Sequence, residues 1–232
     1  MKIDKDAIKW LLYPDIADIL DSRDFGELYA TWHADKRGAQ SCLTQVLLHI
    51  GISINEILQS IDRSPLTDHV VPANLARNVK KVGDVIIPDS IEVIDDAAFF
   101  YSDMTSVKIP KSVKRIQIHA FEGCRSLASV SIEGNVITGY AAFRSCSLLE
   151  DVDLSNVNII GEQAFAGCFD LERVKLSPNC TQIGYKAFDG CMSLKEIIYS
   201  GTMNQFKMTM LSSGWVDHEA VVKCTDGELK VR

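Results

Sequence analysis

An Ala-Phe pair recurs through the second half of the chain at a nearly constant interval. Its five copies lie 22, 22, 22 and 23 residues apart, at Ala98-Phe99, Ala120-Phe121, Ala142-Phe143, Ala164-Phe165 and Ala187-Phe188. A fixed period of roughly 20 to 50 residues is typical of solenoids, in which each repeat contacts only its neighbours. One repeat alone cannot bury its apolar residues, so the repeats are predicted to stack as successive coils.

Each repeat also carries the pattern of a short strand with one buried face. Seven residues after four of the alanines, an apolar triplet begins with the spacing i, i+3, i+5: Leu127-Val130-Ile132, Leu149-Val152-Leu154, Leu171-Val174-Leu176 and Leu194-Ile197-Tyr199. Two further triplets, Met104-Val107-Ile109 and Val82-Val85-Ile87, extend the series to six. The last two members of a triplet flank one variable residue, which is the period of a strand. Neighbouring strands are predicted to pair in parallel, about 4.8 Å apart.

Two further positions recur from repeat to repeat, and we call the equivalent positions of successive repeats a column. An isoleucine stands four residues before the alanine at Ile94, Ile116, Ile160 and Ile183, in a segment predicted to be a turn followed by a short helix or 3₁₀ piece. A cysteine stands four residues after the alanine at Cys124, Cys146, Cys168 and Cys191. Sulfurs that step about 4.8 Å per coil cannot all reach one tetrahedral zinc. These thiols are therefore predicted to be buried, reduced and free of metal.

These columns resemble the BspA-like class of bacterial leucine-rich repeats. Its consensus runs roughly Ile-Pro-x-x-Val-x-x-Ile-Gly-x-x-Ala-Phe-x-x-Cys-x-x-Leu-x-x-Val-x-Ile, and the resemblance covers residues 82–199. The sequence departs from it at Ser102, in the cysteine column, and at Thr138, in the isoleucine column. The resemblance implies a solenoid of five coils with a parallel β-sheet on one face. The segment 200–232 resembles the closing module of such proteins and is predicted to cap the last coil.

The residues before the repeats have a helical pattern. The segments 24–27 and 53–56 both have capping-box spacing, an acceptor followed three residues later by Glu. The second box opens an apolar stripe that ends before Pro65: Ile54, Ile57, Leu58 and Ile61. The predicted fold is therefore α+β, with a small helical domain (1–70), a linker (71–81), a leucine-rich-repeat solenoid (82–199) and a C-terminal cap (200–232).

A DNA-binding alternative rests on residues 43–61, which have helix-turn-helix spacing with Gly51 in the turn. An ordinary helical hairpin has the same spacing. Two observations favour the hairpin. Leu47 stands where a small residue is usual, and the second helix offers Asn55, Glu56 and Gln59 but no Lys or Arg up to residue 61. Residues 1–70 also contain seven Lys and Arg against eleven Asp and Glu.

Composition and motifs narrow the class of function further. The net charge of −7 disfavours broad binding to phosphate backbones, so nucleic acid is not an expected partner. The five histidines show no metal spacing, and there is no phosphate-binding glycine loop or nucleophile elbow. We predict no catalytic residue, no metal, no cofactor and no small-molecule substrate.

The expected cellular location rests on the absence of long apolar segments from the sequence. No apolar run approaches the roughly 20 residues of a membrane-spanning helix. The first fifteen residues carry no secretory apolar region. A cytoplasmic location is therefore expected, unless a signal peptide has been removed.

The sequence thus predicts a non-enzymatic protein that binds another protein through the exposed face of the solenoid sheet, as an inhibitor or effector for example. Each strand presents one outward residue between two buried ones and a second just before them. The partner-binding residues are predicted to be Asp151, Asp153, Arg173, Lys175, Lys108, Ser131, Ser129 and Glu196. A DNA-binding regulator using residues 43–61 is the alternative function. Alternatively, the outer face of the sheet is only solvated and binds no partner, since its strands would then present the same outward residues.

Overall fold

The chain winds into stacked coils whose two long sides are rows of short strands. The computed structural model describes residues 53–63, 70–71, 73, 75–77, 79 and 82–231. Most of the predicted helical domain, including the turn at Gly51, lies outside these residues. Each coil contributes one strand to each side, and the Ala-Phe pair forms the corner between them. The leucine-rich-repeat solenoid predicted from the sequence is confirmed, with about six turns between its first and last strands.

The apolar triplets form the first row of strands, which we call the triplet sheet. Its parallel strands are β2 (Gly83–Ile86), β4 (Met104–Ile109), β6 (Ser129–Ile132), β8 (Asp151–Asp153), β10 (Arg173–Leu176), β12 (Glu196–Tyr199) and β14 (Ala220–Cys224). Hydrogen bonding divides the row between β6 and β8, which still lie side by side. The valine or isoleucine at the centre of each triplet points into the core.

The isoleucine column forms a second parallel sheet, and the predicted helix or 3₁₀ piece in this segment was wrong. The seven strands of the second sheet are β1 (Val70–Val71), β3 (Val93–Ile94), β5 (Arg115–Ile116), β7 (Val136–Thr138), β9 (Val157–Ile160), β11 (Gln182–Ile183) and β13 (Met210–Leu211). Strands of two residues are too short to show a period in the sequence. Stacking at strand distance nevertheless lets each of them pair with the next coil.

The phenylalanines form one buried stack through the corner of the solenoid. The rings of Phe99, Phe121, Phe143, Phe165 and Phe188 follow one another at centroid distances of 5.2, 4.9, 5.2 and 5.6 Å, with successive planes within 12° of parallel. The corner backbone is paired as well, because the Phe121 N–H donates to the Ala142 carbonyl and the Phe143 N–H donates to the Ala164 carbonyl. The stacking of successive coils that the Ala-Phe repeat predicts is confirmed.

Phe165→Ala should therefore reduce the free energy of unfolding by about 3 to 5 kcal/mol, because it opens a cavity at the centre of the stack. A urea melt measures this loss. Phe169→Ala is the matched control, since Phe169 is 54% exposed and its removal should change stability by less than about 0.5 kcal/mol. Equal losses for the two variants would contradict the stack as a source of stability.

Each corner needs two residues in the left-handed backbone region. The first precedes the repeat alanine and has φ between 52° and 57°: Ala97, His119, Ala141, Gln163 and Lys186. The second follows that alanine by three residues and has φ between 55° and 73°: Tyr101, Gly123, Ser145, Gly167 and Gly190. A residue other than glycine costs about 1–2 kcal/mol in this region. The glycines of the second column relieve that cost in three of the five coils.

Ser145→Gly should consequently stabilise the protein by about 1 kcal/mol, because it removes the left-handed strain at one corner. The midpoint of thermal unfolding reports the change. Ser147→Gly is the control, because Ser147 lies in the same turn without a positive φ and should lose stability through the entropy of the unfolded chain. A loss of stability in Ser145→Gly as well would refute the strain argument.

The cysteine column joins neighbouring coils by hydrogen bonds to the phenylalanine column. Each thiol donates to the phenylalanine carbonyl of the preceding coil, at Sγ–O distances of 3.1, 3.3, 3.3 and 3.1 Å for Cys124, Cys146, Cys168 and Cys191. All four are buried. Burial raises the pKa of the Cys146 thiol, and the hydrogen bond with Cys168 together with burial raises the pKa of Cys191. Cys146 and Cys191 are therefore protonated donors, with little thiolate character.

Alkylation of the native protein should spare these four thiols and modify Cys224, which is only partly buried. Peptide mapping by mass spectrometry after treatment with N-ethylmaleimide tests this, and urea should make all of them reactive. Modification of the column cysteines in the native state, or loss of two hydrogens between neighbouring ones before reduction, would overturn the assignment.

The segment 200–232, predicted as a cap, first adds a further coil. Helix α2 (Met203–Met208) begins with a capping box between Thr202 and Gln205. β13 then pairs with β11, and Trp215 lies edge-on against Phe188, with centroids 6.2 Å apart. β14 follows in parallel with β12, and β15 (Gly227–Val231) turns back antiparallel to β14. Within this segment, β15 is the part that closes the C-terminal edge of the triplet sheet.

The predicted linker 71–81 also differs from the structure, because its described residues belong to the first coil. Val71, Leu75, Ala76 and Val79 are buried, and the Ala76 N–H donates to the Ala98 carbonyl at 2.7 Å. The Phe99 N–H makes the equivalent bond to the Ala120 carbonyl. The sequence prediction missed this coil because Leu75-Ala76 stands where the other coils have Ala-Phe.

Helix α1 (Ile54–Arg63) covers the first coil. It begins with the predicted capping box, in which the Ser53 hydroxyl accepts from the Glu56 N–H and the Glu56 carboxylate accepts from the Ser53 N–H. Ile54 and Leu58 are buried in the solenoid core. The side-chain amide of Asn55 donates to the Asp84 carbonyl at 2.9 Å and accepts from the Ile86 N–H at 2.8 Å. Asn55 thus satisfies the edge of β2 as a neighbouring strand would.

Candidate protein-binding face

The predicted binding residues lie together on the outer face of the triplet sheet. Each alternates with a buried residue of its strand, as the two-residue period requires. Seven of the eight are exposed, and Glu196 is half-buried. Parallel register places Asp151 beside Arg173, Arg173 beside Glu196, and Lys108 beside Ser131. The structure therefore brings all eight residues onto one surface.

Two ion pairs between β8 and β10 lie at the centre of this face. The Arg173 guanidinium donates to both oxygens of Asp151, through Nε to Oδ1 at 2.8 Å and through a terminal nitrogen to Oδ2 at 2.7 Å. This forked geometry fixes both side chains. The hydrogen bonds from Arg173 lower the pKa of Asp151, and the same bonds raise the pKa of Arg173. Both groups stay charged across the physiological pH range.

The second pair is looser. Lys175 Nζ lies 3.8 Å from Asp153 Oδ2. Partial burial raises the pKa of Asp153, but hydrogen bonds from Ser155 and the charge of Lys175 outweigh burial, so the pKa is lowered overall. In both pairs the acid is on β8 and the base is on β10. The face therefore presents an acidic strand directly beside a basic one.

Hydroxyl residues separate these pairs from the first coils. Ser129 and Ser131 on β6 are small and exposed. Toward the N-terminal end, the hydroxyls of Thr105 and Ser106 both donate to one oxygen of Asp84 at 2.7 Å, and these bonds lower the pKa of that carboxyl. The middle of the face is thus uncharged and carries small side chains, between two charged regions.

Sequence reasoning missed three residues of this face. Glu133 lies 3.0 Å from Lys108 Nζ and raises the pKa of that lysine, and Lys223 on β14 forms an ion pair with Glu196. Thr105 shares Asp84 with Ser106. Glu133 directly follows the last buried residue of a triplet, so a count of residues that alternate with buried ones leaves it out. Its partner becomes visible only from the register of neighbouring strands.

The two histidines among the described residues each pair with a neighbouring carboxylate. In the described part of the chain, no cluster of three His, Cys, Asp or Glu residues is arranged to hold a metal ion. His119 pairs with Glu122 at the corner of the solenoid. His218 Nδ1 lies 2.8 Å from Asp217 Oδ1, and its Nε2 lies 2.9 Å from the Leu194 carbonyl oxygen. What the face offers a ligand is a fixed order of charges.

The repeats match a known family model. The model for the BspA type leucine rich repeat region matches residues 92–213 in six copies. This chain belongs to the BspA-type leucine-rich-repeat family. The match runs past residue 199, the predicted end of the repeats, and it takes in β13 of the added coil. No helix among the described residues combines the length and apolar character needed to cross a bilayer.

Solved structures of bacterial leucine-rich-repeat proteins are similar to this chain. A T. pallidum leucine-rich-repeat protein is 28% identical over 50% of this chain and 57% of its own, with a TM-score of 0.47. One from Bacteroides ovatus is 24% identical over 63% and 43%, with a TM-score of 0.45. The pneumococcal vaccine antigen PcpA is 18% identical over 62% and 40%, with a TM-score of 0.49. The chain thus spans about half the length of these proteins. None of the curated proteins matches it.

Proposed function

We propose that this protein is a non-enzymatic interaction module that binds another protein through the outer face of the triplet sheet. The observation that carries the proposal is the acidic strand β8 beside the basic strand β10, with Asp151 and Arg173 fixed in a forked ion pair. Leucine-rich-repeat proteins are generally binding modules, which supports this function. An inhibitor or effector role and a cytoplasmic location belong to the same proposal.

The order of charges defines the partner's complementary surface. A partner seated across the centre presents basic groups to Asp151 and Asp153, and acidic groups to Arg173 and Lys175. Such complementarity contributes more to specificity and association rate than to affinity. The neutral serines of β6 leave room beside the charged centre for a larger side chain of the partner.

A photo-crosslinking amino acid at position 131 tests the face directly. Ser131 is exposed at the middle of the triplet sheet, and Arg115 is an exposed position on the second sheet. In a lysate of the source organism, position 131 should give a discrete adduct that mass spectrometry identifies, and position 115 should not. Crosslinking from position 115 alone, or from neither position, would reject the triplet sheet as the binding face.

An exchange of charges then tests the central pairs against the identified partner. The double variant Asp153→Lys with Lys175→Asp keeps the ion pair but reverses its direction, so stability should change little. Affinity for the partner should fall by about tenfold or more, which corresponds to about 1.4 kcal/mol.

The control for this exchange is Lys186→Asp with Asp189→Lys, which reverses a partly exposed ion pair at the corner of the solenoid. This control should leave affinity unchanged. Equal losses for the two exchanges, or no loss for the sheet exchange, would count against recognition by the triplet sheet.

DNA binding through residues 43–61 remains the alternative prediction, and nothing in the described residues favours it. Of that segment, the structure describes residues 53–61. There Asn55 is hydrogen-bonded to β2, while Ile54 and Leu58 are buried against the solenoid. A gel shift with genomic fragments tests this alternative.

A further inference from the structure

Three large apolar side chains stand in solvent on neighbouring coils, along one rim of the triplet sheet. Leu148, Phe169 and Met192 are 49%, 54% and 69% exposed, and we call them the apolar strip. Phe169 and Met192 directly follow Cys168 and Cys191 in their coils, and Leu148 follows Cys146 by two residues. Single exposed apolar residues are ordinary, but a contiguous group of them marks an interaction site.

Backbone pairing holds the strip together. The Asp170 N–H donates to the Ser147 carbonyl at 3.3 Å, which joins the turns that carry Phe169 and Leu148. The Gly167 N–H donates to the Asp189 carbonyl at 2.7 Å and joins the turns of Phe169 and Met192. Coils paired in this way lie about 4.8 Å apart, so the strip is roughly 10 Å long and runs along the solenoid axis.

Exposed acidic side chains lie beside the strip. The basic residue of the same column, Arg125 on the coil before Leu148, lies over the Tyr101 ring. Glu150 and Asp170 stand beside it in sequence, and Glu219 lies on the next coil. All three are exposed, and none of them forms an ion pair with another residue that the structure describes. The lysine nearest in sequence to the strip is Lys195, which lies 3.8 Å from Glu172 and is thereby balanced. An apolar strip flanked by unpaired carboxylates complements an apolar surface flanked by Lys and Arg.

We propose that the apolar strip docks a basic amphipathic helix of the partner protein. This inference rests on the proposed protein-binding function and names the chemistry of one part of the partner. A helix presents anchors at i, i+3 or i+4, and i+7, about 5.4 Å apart per turn, which is close to the spacing of the coils. An extended strand presents its same-face residues about 6.6 Å apart, which matches the coils less well.

The side chains of the strip are suited to binding a basic amphipathic helix. Phenylalanine and methionine are enriched at protein interfaces, and methionine adapts its shape to the anchor that it meets. The flanking Lys and Arg of the helix face Glu150 and Asp170. Binding should therefore weaken as salt is added, because these charges are exposed.

A labelled peptide of about 18 residues tests the proposal. Leucines at the anchor positions and lysines elsewhere give a basic amphipathic helix, and the same leucines with glutamates give its acidic counterpart. Fluorescence anisotropy with the whole 232-residue chain should show binding of the lysine peptide, and affinity for the glutamate peptide should be weaker by about tenfold or more. Equal affinity for the two peptides would overturn the charge argument.

Substitutions then locate the site of binding. Phe169→Ser with Met192→Ser should reduce affinity for the lysine peptide by about tenfold or more. Ile86→Ser is the matched control, because Ile86 is 51% exposed at the other end of the triplet sheet, and it should leave affinity unchanged. Unchanged binding by the double variant, or an equal loss in Ile86→Ser, would overturn the proposal. A solution dimer that the double variant dissociates would assign the strip to a second copy of the chain instead.

Failure of this inference can be told apart from failure of the proposed function. Crosslinking from position 131 without strip-dependent peptide binding would leave the protein-binding face and remove the helix site. Strip-dependent peptide binding without crosslinking from position 131 would place recognition on the rim alone.

Discussion

Hydrogen bonding from each coil to the next is the constraint on which the rest of the structure depends. It runs along three lines: the triplet sheet, the second sheet and the Ala-Phe corner, where the Phe121 N–H donates to the Ala142 carbonyl. A buried backbone group without a partner is costly, so no coil is stable alone and both ends need covers. Asn55 of α1 provides one cover at β2, and β15 provides the other at β14.

The same pairing decides what can stand on the surface. It fixes the register of neighbouring strands, so Arg173 lies beside Asp151 and its guanidinium can reach both carboxylate oxygens. Exposed ion pairs of this kind add at most about 1 kcal/mol to stability. The central pairs therefore do little for the fold. They set an order of charges on the outer face, and the rigid coils below keep that order unchanged.

The sequence predicts what repeats and misses what is short or irregular. The triplets and the phenylalanine and cysteine columns recur often enough to be aligned, and the structure confirms the burial of each. The second sheet is missed because strands such as Arg115–Ile116 are too short to show a period. The end coils are missed because Leu75-Ala76 and Trp215 replace Ala-Phe. At the site, exposure follows from the strand period, whereas the pairing of Lys108 with Glu133 depends on register between strands.

The face and the rim of the triplet sheet differ in what they can give a partner. The charges of the face are already paired with one another, so a partner that meets Asp151 and Arg173 exchanges contacts and gains little affinity from them. The apolar strip on the rim differs from the face, because its side chains are exposed to water. Phe169 and Met192 have no apolar cover in the described chain, and burying them removes apolar surface from water, which is the main favourable term in association. In the proposed complex the rim therefore supplies most of the affinity, and the face selects the partner and fixes its orientation.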